Sequence, residues 1–166
     1  AAGIAAAIAG SLLRHRARGV VLDPVMVAKG GDALLAADAV AAIRSRLVPI
    51  AEVITPNLPE AAALLGAAEP RDLEGMKAMA RDLLALGPQA VLLKGGHLEG
   101  PEASDVYCDA AGMTVLTAPR IATKNTHGTG CTLSSAIAAL LPRMPRRDAI
   151  ARAKDYVTEA IRHAGA

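Results

Sequence analysis

The run Thr126-His127-Gly128-Thr129-Gly130-Cys131 sets two glycines, a threonine and a thiol just before an apolar stretch of helical character. Glycines at a helix start let backbone N–H groups converge on one anion at the positive end of the helix dipole. The chemistry this suggests is a phosphate cradle at Gly128, Thr129 and Gly130, with Thr126 and His127 leading into it. A glycine-rich loop that merely enters a helix fits the same residues, and two glycines around a threonine do not decide between them. Cys131 falls in the first helical turn, where the dipole favours the thiolate and is expected to draw the thiol pKa down. An inert packing role also suits cysteine, and it is the only reading for Cys108, which lies inside a strand-like run.

Three further groups stand at places where strands end. Asp23 follows Val20-Val21-Leu22 and precedes a proline, so it offers an acid at a strand's carboxyl end. Asn57 and Glu60 have the N-cap and N3 spacing of a capping box, a purely structural device. Their amide and carboxylate oxygens equally suit Mg2+ held through its waters, with Asp23 as a second acid for the metal. Lys94 closes the apolar run Ala90 to Leu93 just before Gly95-Gly96, where its ammonium can reach phosphate oxygens. A solvated strand end is the plain alternative for Lys94, as a surface position is for the loop residue His97.

The elements that must position these groups alternate between short apolar runs and longer helical periodicity, the signature of βαβ units around a mostly parallel sheet. The pattern predicts strands at Val20–Val25, Glu52–Thr55 and Ala90–Lys94. It predicts helices over Ala5–Arg16, capped by Gly19, then Ala37–Leu47, Asn57–Gly66, Asp72–Leu86, Gly128–Leu141 and Arg147–Ala164, with a Gly30-Gly31-Asp32 turn before the second. Ser104–Asp109 and Met113–Thr117, separated by Ala110-Ala111-Gly112, read as a hairpin that forms an antiparallel edge. In open α/β sheets ligands bind beyond the carboxyl ends of the strands, where all four constellations fall.

Composition narrows the partners. With 52% hydrophobic and 1% aromatic residues, the core is built from aliphatic side chains and alanine. A formal net charge of +2, from 18 basic and 16 acidic residues, with no Trp or Phe, gives no basic stripe or stacking platform for nucleic acid. The opening AAGIAAAIAGSLLRHRARG carries its charges after the apolar run, unlike a leader peptide, and is too short to cross a membrane. Two cysteines in unrelated contexts make no disulfide framework, so a reducing, cytoplasmic setting is expected.

Taken together, VVLDPVMVAKGGDALL, VITPNLPEA, VLLKGGHLEG and NTHGTGCTLSSAIAA, in that order, resemble the hydroxymethylpyrimidine and phosphomethylpyrimidine kinase family across nearly the whole chain. The resemblance implies an α/β, ribokinase-like fold: a mostly parallel sheet flanked by helices, with an antiparallel edge hairpin. It implies phosphate transfer from ATP to the pyrimidine precursor of thiamine and then to its monophosphate, with Mg2+ as metal. By resemblance, Gly128, Thr129 and Gly130 match the anion hole and Cys131 the catalytic base. Asn57 and Glu60 match the element that organises metal and phosphate, Asp23 the acid at the metal, and Lys94 the phosphate-contacting lysine. The family's N-terminal substrate-gripping part has no counterpart, so residues 1–166 are expected to be the C-terminal portion of one such domain. A sister pyridoxal kinase and a non-catalytic nucleotide binder are the alternatives, and a homodimer is the assembly common among such kinases.

Overall fold

The computed structural model describes residues 2–26, 36–96, 102–122 and 128–164. Five strands form one mixed sheet in the order β1-β2-β3-β4-β5: Val21–Leu22, Val53–Ile54, Ala90–Lys94, Glu102–Asp109 and Gly112–Pro119. The first three run parallel, with Val21 opposite Val53 and Val53 opposite Ala90. β3, β4 and β5 pair antiparallel, so the expected hairpin forms one edge. The first two strands are shorter than the apolar runs predict, because the chain leaves the ladder at Asp23-Pro24 and at Thr55-Pro56, and proline cannot donate to a ladder.

Alternation along the central strand places a layer of helices on each face. Val91 and Leu93 of β3 join Ile54, Val106 and Cys108 against α3 (Leu58–Leu65) and α4 (Leu73–Leu84). Ala90 and Leu92 join Val53 and Tyr107 against α5 (Thr129–Leu140) and α6 (Arg146–His163). Cys108 is a buried free thiol in the first cluster, the packing role expected of it. A helix at the start, α1 (Ala2–Arg14), turns Ala5 and Ala9 inward and leaves Ile4, Ile8 and Leu13 exposed.

Two helices depart from the predicted outline. α1 ends before Arg16, which itself takes the left-handed conformation at φ 49°, and Gly19, at φ 66°, leads into β1 instead of capping the helix. The helix predicted over Ala37–Leu47 is α-helical only for Ala37–Ala42 (α2), then widens to a π-turn over Ile43–Leu47 and tightens to a 3-10 turn over Val48–Ile50 around Pro49. The Gly30-Gly31-Asp32 turn and His97 lie outside the described residues.

At the end of the sheet remote from the strand carboxyl termini, Tyr107 donates its hydroxyl to Asp109 and lies under the Arg147 guanidinium, 5.5 Å from the ring centre. Burial, then the Asp109 carboxylate, push its phenol up to about 12. A raised folded-state pKa favours the neutral phenol, so its stabilisation is complete below the unfolded value and is lost as pH rises through the folded one. Melting temperature is therefore expected to fall with pH between about 10 and about 12, and Tyr107→Phe to flatten that fall.

Candidate functional site

At the carboxyl ends of the three parallel strands, three polar side chains stand in a row. Asp23 follows β1, Thr55 follows β2 and Lys94 closes β3. Thr55 is fully buried and donates its hydroxyl to Asp23 Oδ1 at 3.1 Å, while its N–H donates to Leu22 O at 3.0 Å. Lys94 Nζ reaches the same Oδ1, also at 3.1 Å, across the intervening strand. The sequence offered no sign of Thr55: a threonine at a strand end is unremarkable until the strand order puts it between an acid and a lysine.

The next peptides lock the lysine to the start of α3. Lys94 N–H donates to Pro56 O at 2.9 Å, and Asn57 and Lys94 form a parallel bridge. Asn57 caps α3: its Oδ1 accepts from Glu60 N–H, and Glu60 Oε2 accepts from Asn57 N–H, both at 2.8 Å. The capping box is therefore real, and it aims a carboxylate that is only 4% exposed into the region of Asp23 and Lys94. Burial raises the pKa of Glu60, and Asp23 adds to this, against the hydrogen bond from Asn57 and the attraction of Lys94.

The glycine turn completes the site. Gly128 is the N-cap of α5 in the left-handed conformation, φ 77°, which a side chain would strain. Gly130 faces the lysine so closely that a Cβ there would stand 3.1 Å from Lys94 Nζ. Glycine at this position keeps ammonium and helix start within reach of a shared anion. Thr126 and His127, expected to lead into the cradle, lie outside the described residues.

Cys131 is free and exposed in the first turn of α5, but its pKa moves opposite to the sequence expectation. The Asp23 carboxylate, accepting from the thiol, pushes it up, and burial adds to that; the pull of Lys94 is smaller. The helix dipole was weighed alone in the sequence, where the distance to Asp23, 108 positions away by number, is invisible.

All these groups except Thr55 line one cavity of about 710 Å³. Asp23, Asn57, Glu60, Lys94 and Gly128–Cys131 all contribute to its lining. Ala118, Pro119, Ile121, Leu133, Val157 and Ile161 add apolar lining, and Asp105 and Lys154, neither singled out by the sequence, lie on the same wall. Two carboxylates and an ammonium beside a helix start can bind a polyanion together with a hard cation. Among the described residues no group of three or more His, Cys, Asp or Glu side chains could hold a metal by itself. Mg2+ takes one or two carboxylates and completes its shell with water and phosphate oxygens. Among the described residues no helix is long and apolar enough to cross a membrane.

Known proteins resemble this chain in sequence and fold. The chain is 51% identical over 162 residues to the hydroxymethylpyrimidine/phosphomethylpyrimidine kinase of Escherichia coli, covering 97% of this chain and 61% of that protein. Among solved structures it matches an ADP complex of Bacillus subtilis pyridoxal kinase at 38% identity and TM-score 0.89, over 95% of this chain and 60% of that one. It matches a phosphomethylpyrimidine kinase from Clostridium difficile at 36% identity and TM-score 0.82, over 97% of this chain and 65% of that one. The chain thus spans about three fifths of these relatives' length and has the ribokinase-like fold they share. With the phosphomethylpyrimidine kinase profile matching residues 1–166 as well, the chain belongs to that family.

Proposed function

We propose that the chain carries the nucleotide and phosphate site of a kinase that phosphorylates 4-amino-5-hydroxymethyl-2-methylpyrimidine and then its monophosphate, using ATP. The observation that carries this reading is the convergence of Lys94, Asp23 and the start of α5 in one cavity that also has apolar lining. A nucleotide has both kinds of surface, phosphates for the charged groups and a base for the apolar lining. Phosphoryl transfer needs mainly positioning and charge neutralisation. Lys94 supplies a cation to the phosphates, and the N–H groups at Gly128–Gly130 receive the charge that develops on the moving phosphoryl group. Cys131 takes the proton of the attacking hydroxyl as its oxygen bonds to phosphorus and the bond to the leaving ADP oxygen breaks. Asp23 and Glu60 would hold Mg2+, which would neutralise charge on the phosphates and on these two carboxylates. The free, exposed Cys131 thiol suits a reducing compartment, and the cytoplasm is the proposed place of work.

The test is a turnover assay with ATP, Mg2+ and the pyrimidine alcohol beside a calorimetric titration with ATP. Turnover supports the kinase, binding without turnover reduces the chain to a nucleotide binder, and the absence of both turnover and ATP binding overturns the reading. Likeness to the pyridoxal kinase structure favours a second alcohol, pyridoxal, and paired assays with both alcohols separate the two.

Glu60→Gln separates capping from metal binding. Glutamine can still accept from Asn57 N–H, so the helix start is retained. The charge that would face Mg2+ is gone, and the Mg2+ concentration giving half-maximal turnover is expected to rise at least several-fold. A magnesium titration matching the parent returns Glu60 to a purely structural role.

A further inference from the structure

Asp105 and Lys154 make an ion pair at 2.6 Å with side chains only 10% and 13% exposed, on the wall of the same cavity as Asp23 and Lys94. Asp105 stands opposite Lys94 in the β3–β4 ladder. Its Oδ1 accepts from Gly95 N–H at 3.0 Å, the first peptide after β3 ends. Its Oδ2 accepts from Lys154 Nζ, which also donates to Ala103 O at 3.3 Å. Here the backbone packs so closely that only glycine fits: a Cβ on Gly95 would lie 2.1 Å from Ser104 O and 2.7 Å from Met76 Cε. Arg120 holds the next peptide, donating to Gly96 O at 2.9 Å. A lysine at a fraying strand end would sample many directions; this one is followed by a peptide held through a charge-assisted hydrogen bond.

We propose that Asp105 and Lys154 are a positioning pair, in which the carboxylate fixes the Gly95 peptide, the α6 ammonium fixes the carboxylate, and the direction of Lys94 toward a bound phosphate follows. The inference rests on the nucleotide reading above, and in it the pair acts through the Gly95 peptide. Breaking the pair from either side leaves an uncompensated charge of low exposure that must find a new partner, and the Gly95 peptide moves with it.

The test compares Asp105→Ala and Lys154→Met with the parent in calorimetric titrations with Mg2+ and either ATP or adenosine. Each variant is expected to weaken ATP by roughly tenfold while adenosine, which lacks phosphate, binds as before. In a Lys94→Ala background Asp105→Ala is expected to cost ATP nothing more, because its effect runs through that lysine. Equal losses for ATP and adenosine, an undiminished loss in the Lys94→Ala background, or no loss at all would each overturn the proposal. Should Asp105→Ala fail to fold, Lys154→Met carries the same comparisons. Hydrogen exchange at the Gly95 amide, measured without nucleotide, separates the two readings. Faster exchange in Lys154→Met supports the positioning pair even if the parent binds no ATP, a result that sinks the nucleotide reading alone; unchanged exchange overturns the pair.

Discussion

Cys131→Ala is expected to slow phosphorylation of the pyrimidine alcohol by about 10² to 10⁴, the usual contribution of a general base, while ATP affinity is unchanged. The affinity should persist because the polyanion is held by Lys94 and the start of α5, neither of which depends on the thiol. A pH profile gives the sharper test. Only the thiolate can take a proton, and Asp23 with burial holds the Cys131 pKa above the ordinary thiol value. The parent rate is therefore expected to climb as pH rises toward the alkaline side, and the alanine variant to lose that limb. A variant with parent turnover, or with the same alkaline rise, would remove Cys131 from the base role.

Lys94→Ala is expected to lower kcat/KM for ATP by roughly 10² to 10³, the scale found on deleting one group aimed at developing charge. Part of the loss belongs to the phosphate contact, and part to Asp23, which keeps Thr55 but loses its cation. Lys94→Arg discriminates between these: a guanidinium restores a positive charge, yet its planar fork does not fit the space that Gly130 leaves for a compact ammonium. Partial recovery in Lys94→Arg, with most of the loss remaining, is the expected outcome. Full activity of Lys94→Ala, measured with saturating pyrimidine, would overturn the assignment.

What the sequence disclosed about this site depended on range. Asn57 and Glu60 were legible because a capping box is a local pattern of four residues. Asp23, Lys94 and Gly128 were legible as ends of elements because Pro24, Gly95 and the apolar run after Gly130 punctuate the chain. Their meeting was not legible, since it requires β2 to lie between β1 and β3 so that Thr55 and Lys94 both face Asp23. For the same reason the thiol's direction of shift came out reversed. Lys154, in an amphipathic helix of many charges, had no local mark to set it apart from Lys77 or Arg152, and only the burial of its partner on β4 does so.

The bridge between Asn57 and Lys94 has a consequence for the thermodynamics of ligand arrival. Because Lys94 N–H is bonded to Pro56 O and the following peptides belong to the α3 cap, cation and carboxylate are ordered together when the sheet forms. A nucleotide meets donors already in place, so little chain entropy is lost on this side of the site. The heat-capacity change on binding should then report the apolar lining of the cavity that the ligand covers, with little from folding around the phosphates.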